Sequence, residues 1–178
     1  MGNIYFFSGP CGCGKTALAN AFAKYLADKN KGKQVYLIHG DDFHRGFVES
    51  DKIDIAEERM PWEDILKFNW ECIISAAQKA LDKGLDVVID YVIEEELPLI
   101  RQLAWEYHAD VYYVVLTASE SCIRQRITKR GDTELIERAL FLKSKLDNLP
   151  VNHGHLFDNT ELSVEDEIKC LAIENFKL

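Results

Sequence analysis

The chain has 178 residues, 47% of them apolar and 29% charged, with a formal charge of −9 and no low-complexity tract or repeat. That length fits one domain with a real core and is too short for two ordinary ones, so residues 1–178 are read as a single domain with a single site. The acidic balance argues against nucleic acid as the main partner, because phosphate backbones are held by clustered Lys and Arg. The charge is uneven: residues 49–64 carry seven acids and two bases, whereas 124–145 carry seven bases and three acids. Five cysteines, an odd number without a secretion signal, point to a reducing compartment, with cytoplasm as the expectation. The longest apolar runs, such as Val111 to Leu116, are too short to span a bilayer, so no membrane role is expected.

Ile4 to Ser8 are apolar and aromatic, followed by a glycine-rich turn and then Leu18, Ala21, Phe22, Tyr25 and Leu26 at helical spacing. A second apolar run, Val35 to Ile38, ends at Gly40-Asp41-Asp42 as a buried parallel strand would. From Trp62 the apolar positions 62, 65, 66, 72, 73, 76, 77, 80 and 81 keep the helical period behind Pro61. Val87 to Ile89 predicts a strand ending at Asp90, Pro98 to Tyr107 a helix, and Val111 to Leu116 a fourth strand. Ser119 can cap a helix carrying Arg124, Arg126 and Arg130, and Leu135, Ala139, Leu142, Leu146 and Leu149 mark another. A short strand near His155 to Phe157 precedes a last helix, capped by Ser163, with Val164, Ile168, Leu171 and Ala172 inward. Repeated βα units predict an α/β fold: a mostly parallel sheet covered on both faces, with three α/β/α layers.

Gly9-Pro10-Cys11-Gly12-Cys13-Gly14-Lys15-Thr16 matches Gly-x-x-x-x-Gly-Lys-Thr between a predicted strand and a predicted helix, the context this phosphate-binding motif requires. Its glycines let backbone N–H groups converge on phosphate oxygens, and the helix start adds partial positive charge. Lys15 would neutralise β and γ oxygens, and Thr16 can ligate Mg²⁺. Gly9, Gly12, Cys13, Gly14, Lys15, Thr16 and Ala17 are therefore the expected ATP-binding residues. Cys11 and Cys13 could instead be redox-active or bind metal, but two sulfurs make no complete zinc site, and both are read as small loop fillers.

Asp90 is followed by Tyr91 rather than by a Glu that could orient hydrolytic water, and no Asn-Lys-x-Asp base-reading motif occurs. Transfer to a bound acceptor is favoured over hydrolysis. Such transfer needs a carboxylate at the acceptor hydroxyl, and the second strand delivers Asp41 first and Asp42 second, though Asp also commonly caps a turn. Asp90 can hold Mg²⁺ through water or position Lys15 and Thr16; the alternative is a solvated strand end. His44, Arg45 and Arg59 fall where a substrate pocket would form, and each is also an ordinary surface or turn residue. Arg126 and Arg130 lie one helical turn apart, suited to a lid that closes over phosphates or to a solvated face.

Over nearly its whole length the chain resembles the small-molecule kinases of the adenylate-kinase and shikimate-kinase group. Gly40-Asp41-Asp42-Phe43-His44 is similar to the Gly-Asp-x-Leu-His of gluconate kinases, and Arg59-Met60-Pro61-Trp62 resembles their Arg-x-Pro-Trp. The resemblance implies a five-stranded parallel sheet in the order 2-3-1-4-5, a substrate-binding insert at about 42–70 and a helical lid at about 126–138. It further implies that Arg126 stacks on adenine and that Arg130 contacts phosphates. The lid departs from the gluconate kinases: a His-Phe-Met type segment is replaced by Arg130-Gly131-Asp132-Thr133-Glu134-Leu135. The acceptor is thus left open between a sugar acid and an antibiotic, since similar lids occur in phosphotransferases resembling chloramphenicol kinase. Polynucleotide-kinase-like domains share the pattern, but the acidic 49–64 segment opposes a nucleic-acid end. A nucleotide-dependent switch read by a protein partner is the reading from another class.

Overall fold

Strand β1, Ile4–Ser8, is buried along its whole length because it runs through the middle of the sheet. Alternation sends Ile4 and Phe6 into one apolar cluster and Tyr5 and Phe7 into another on the opposite face. The computed structural model that shows this describes residues 2–30, 32–48 and 60–178. Four further strands complete the sheet: β2 (Val35–His39), β3 (Asp86–Asp90), β4 (Val111–Thr117) and β5 (Leu156–Asp158). All pairings among them are parallel, in the order β2-β3-β1-β4-β5 that the family resemblance implied. The strands therefore run out at one common edge, where His39 and Asp90 are register partners and Ser8 lies one residue beyond Phe7, the partner of Asp90 on β1.

Helix α1, Lys15–Lys29, lays Leu18, Phe22 and Leu26 on the Tyr5–Phe7 face, where Leu171 joins them. After the short α2 (Asp41–Arg45), α3 (Trp62–Leu81) and α4 (Leu97–Tyr107) cover the other face through Trp70, Ile73, Leu97, Ile100 and Leu103. Helix α5, Glu120–Arg130, is capped as expected by Ser119, whose Oγ accepts from Cys122 N at 3.3 Å. It packs on α6 (Ile136–Asn148) through Ile123, Ile127 and Ala139. Ser163 likewise caps α7, Val164–Cys170, accepting from Asp166 N at 3.2 Å. The three layers predicted from the βα alternation are thus present, and no described helix is long and apolar enough to cross a membrane.

Two helical faces differ from expectation. On α3 the buried stripe is Asn69, Trp70, Ile73, Ala77, Ala80 and Leu81, while Trp62 is exposed. The first turn of α3 lies against α2 instead of the sheet, with the Trp62 ring 5.8 Å from that of His44, so periodicity there describes a helix pair. On α7 the helix stops at Cys170; Leu171 is buried beyond its end and Ala172 is exposed.

Gly40 makes the turn from β2 into α2 under the Tyr91 ring, where an added Cβ would meet Tyr91 side-chain atoms at 2.5–2.7 Å. Its φ of −61° suits any residue, so the requirement is space alone. Gly40→Ala is expected to destabilise the chain by about 1–3 kcal/mol through overpacking. Urea unfolding would show this as a lowered midpoint at constant slope; an unchanged midpoint would mean that Tyr91 is free to move aside.

Candidate active site at the carboxyl edge of the sheet

The phosphate loop leaves β1 at Gly9, whose φ of 138° lies where only glycine is unstrained. Gly14 caps α1 with φ 96°, again in the left-handed region, which turns Lys15 and Thr16 into the first turn. Lys15 Nζ donates to the Pro10 carbonyl at 3.0 Å, which suspends the ammonium across the mouth of the loop. Thr16 Oγ1 donates to Asp90 Oδ2 at 2.6 Å, and Asp90 itself is almost fully buried at the end of β3. The other Asp90 oxygen meets His39 Nδ1.

A cavity of about 790 Å³ opens above the loop. Gly9, Gly12, Gly14, Lys15, Thr16 and Ala17 form its floor, Asp41 and Arg45 one wall, and Arg126, Lys129 and Arg130 another. Leu162, Ser163, Val164 and Glu167 close its far end. A second groove of about 570 Å³, between β2 and α3, is lined by Tyr36, Phe68 and Cys72 and holds none of the candidate residues.

Most of the sequence-predicted residues converge on this cavity, but not all do so. Asp41 reaches it from the first turn of α2 and has no hydrogen-bond or ion-pair partner among the described residues. Asp42, one position on, is exposed and pairs with Arg45 at 3.3 Å, outside the lining. His44 turns away to Asn69, whose Nδ2 lies 3.1 Å from its Nδ1. Arg59 lies outside the described residues. The Cys13 side chain is buried beneath the loop, where desolvation pushes its thiol pKa up and so disfavours the thiolate that redox or metal chemistry would need. All five cysteines are free, and no group of three or more His, Cys, Asp or Glu among the described residues could hold a metal.

The two arginines of α5 are held very differently. Arg126 Nη1 donates to Cys13 O at 3.3 Å and to Asn159 Oδ1 at 3.1 Å, and its Nη2 donates to Asn159 O at 3.1 Å. Arg130 is half exposed, with Nη2 at 3.1 Å from Cys11 Sγ and 3.2 Å from Asp132.

Asn159, Glu167 and His39 are the residues that motif reasoning did not select. Asn159 is fully buried and donates to both Cys13 O and Glu167 Oε1 at 2.7 Å, tying the loop to α7. Glu167 falls on an otherwise ordinary helical position, and His39 ends a strand as any polar residue might, so neither carried a signal in the sequence.

For a divalent cation the donors on offer are oxygens, the Thr16 hydroxyl on the cavity floor and, bonded to it from behind, the Asp90 carboxylate. Two oxygens fit Mg²⁺, a hard cation that keeps several waters, better than they fit zinc.

The AAA domain family matches residues 6–141. No curated protein matches the chain. Among solved structures, the APS kinase CysC of Mycobacterium tuberculosis in complex with AMPPNP and APS is 19% identical, with a TM-score of 0.68 over 94% of each chain. A gluconokinase from Sinorhizobium meliloti 1021 is 17% identical, with a TM-score of 0.60 over 98% of this chain and 91% of its own. A sugar kinase from Janibacter sp. HTCC2649 is 18% identical, with a TM-score of 0.59 over 99% and 96%. At these identities the likeness is one of fold.

Burial raises the pKa of Glu167 above its ordinary value of 4.5, although Asn159 and Arg126 pull it down. A carboxyl whose native pKa exceeds its unfolded pKa stabilises the fold at acid pH, and that contribution is lost as pH rises through the native pKa. Wild type should therefore lose stability relative to Glu167→Gln as pH rises above 4.5 towards neutrality. Urea midpoints of both proteins between about pH 4 and about pH 8 test this, and parallel curves would show that Glu167 titrates normally.

Proposed function

We propose that this chain, which belongs to the AAA domain family, is an ATP-dependent kinase transferring the γ-phosphoryl group to a hydroxyl of a small acceptor. The observation that carries this reading is the shared cavity, which sets the phosphate loop with Lys15 and Thr16 against Asp41 on one wall and Arg126 and Arg130 on another. A hydrolase would need only the first half of that arrangement. Phosphoryl transfer asks mainly for alignment of acceptor and donor and for neutralisation of the equatorial oxygens. Lys15 and Arg130 supply charge, and Asp41 orients the acceptor hydroxyl and takes its proton.

Mg²⁺ would be held by Thr16 directly and by Asp90 through water, and when bound would offset phosphate charge. Arg126 borders the nucleotide near the Leu162–Val164 end of the cavity, where the adenine is placed. The segment of about 42–70 serves as acceptor-binding insert, with Arg45 as its described contributor to the cavity beside Asp41, and about 126–138 as lid. The fold neighbours named as gluconokinase and sugar kinase support a hydroxyl-rich acceptor such as a sugar acid, and a hydroxylated antibiotic meets the same chemical requirement. The free thiols suit a cytoplasmic enzyme.

ADP release with Mg²⁺ and ATP, measured across sugar acids, polyols, nucleosides and hydroxylated antibiotics, should rise with one class that becomes phosphorylated. Asp41→Asn should then lower kcat about 10²–10⁴-fold and leave ATP affinity within about threefold of wild type. Equal loss of both would remove Asp41 from the chemistry, and ATP binding that no acceptor stimulates would favour a nucleotide-dependent switch.

A further inference from the structure

Asp90, 4% exposed at the carboxyl end of β3, has both of its oxygens engaged. Thr16 Oγ1 donates to Oδ2 at 2.6 Å, and His39 Nδ1 meets Oδ1. His39 and Asp90 are register partners at the ends of neighbouring parallel strands, so their side chains leave the same face of the sheet. One helical turn beyond Thr16, Asn20 donates to the Thr16 carbonyl at 2.7 Å and brings its Nδ2 to 3.5 Å from His39 Nε2. A carboxylate only accepts, so the imidazole presents its Nδ1–H to Asp90 and leaves Nε2 as the acceptor facing Asn20. Thr16, Asp90, His39 and Asn20 thus close a ring of polar contacts under the floor of the cavity.

We propose that His39 is a positioning residue for Mg²⁺–nucleotide binding, an inference that rests on the kinase reading of the cavity. A hydroxyl rotor and a carboxylate can each turn about a single bond, and the metal-binding corner needs both fixed at once. With Oδ1 held by His39, the Asp90 carboxylate cannot rotate without leaving a polar atom unpaired in a nearly buried place, so Oδ2 stays on the Thr16 hydroxyl. Because the Thr16 proton is committed to Asp90, the hydroxyl's lone pairs are left for a cation at the cavity floor. His39 itself does not line the cavity and touches neither nucleotide nor acceptor in this scheme. Partners of this kind, one layer behind a metal ligand, change metal affinity by about 10–100-fold when removed.

The test is the affinity of a non-hydrolysable ATP analogue for the full chain, by calorimetry, once in Mg²⁺ and once in EDTA. It compares wild type, His39→Phe and His39→Asn, the last because an Asn amide can present N–H near the place of imidazole Nδ1. In EDTA all three should bind alike. The enhancement that Mg²⁺ brings should fall about tenfold or more in His39→Phe and return in His39→Asn. Full enhancement in His39→Phe would overturn the proposal, as would a loss in EDTA as large as the loss in Mg²⁺, which is the mark of a merely structural role. A wild type that binds no analogue, or binds it equally with and without Mg²⁺, would overturn the reading of the cavity itself and the proposal with it.

Discussion

A Cβ on Gly9 would stand 2.5 Å from the Leu116 carbonyl oxygen and 2.8 Å from Cys13 Sγ, and the loop takes its present path because that atom is absent. With φ at 138°, β1 turns out of the sheet while still in contact with β4. Cys13 can then sink beneath the loop, and its carbonyl comes within reach of Asn159 and Arg126. Gly12 meets Ile127 of α5 in the same way, with an added Cβ at 2.8 Å. The loop is thus seated against β4, α5 and the β5–α7 turn before any ligand is considered. A loop that stood off by even a methyl group would lose those anchors, and its amides would have no fixed direction.

Parallel register does the rest of the placing. Neighbouring strands that finish at one edge bring Asp90 beside His39 and both beside the first turn of α1, residues far apart in sequence. Asp41 follows within the turn after β2, held near by Gly40 under the Tyr91 ring, whose hydroxyl accepts from the buried Asn69 at 3.1 Å. Burial raises the pKa of that Tyr91 hydroxyl, although the Asn69 contact pulls it down. The loop, the Thr16–Asp90 contact and the Asp41 carboxylate therefore share one support, the carboxyl edge of β1, β2 and β3.

This also explains which parts of the molecule were legible from sequence. The loop was readable because its requirements are local: glycines at fixed offsets, then Lys15 and Thr16 opening a helix. Strands β1, β3 and β4 were readable because a buried parallel strand leaves an uninterrupted apolar run. Asp41 and Asp42 could not be ranked by pattern with any force, since one helical step separates a residue facing the cavity from one paired with Arg45 in solvent. His39, Asn159 and Glu167 were unreadable for a different reason. Their meaning comes from partners on other elements, and a polar residue at a strand end or in a helix carries no mark of the carbonyl or carboxylate it will meet. On α3 the periodic positions Ile73, Ala77, Ala80 and Leu81 are buried as read, and Trp62 is not, because its turn packs on α2 instead of the sheet.

Under the proposed function an acidic chain with a net charge of −9 must still attract a triphosphate, and the cavity offers the charge for that locally. Among the described residues five cations line the cavity, Lys15, Arg45, Arg126, Lys129 and Arg130, against two acids, Asp41 and Glu167. At physiological salt the screening length is about 8 Å, so these groups dominate what a phosphate in the cavity experiences while the acidic surface is largely screened. They are not equivalent. Arg126 is half-buried on three acceptors, and moving it leaves Asn159 Oδ1 without a donor among the described residues. Arg130 is half exposed on a thiol and on Asp132, an ion pair of the kind worth about 0–1 kcal/mol. Under the proposed chemistry the division of labour follows from those costs: Arg126 stays as part of the frame, and Arg130 is the cation that can leave its partners and follow the transferring phosphoryl group.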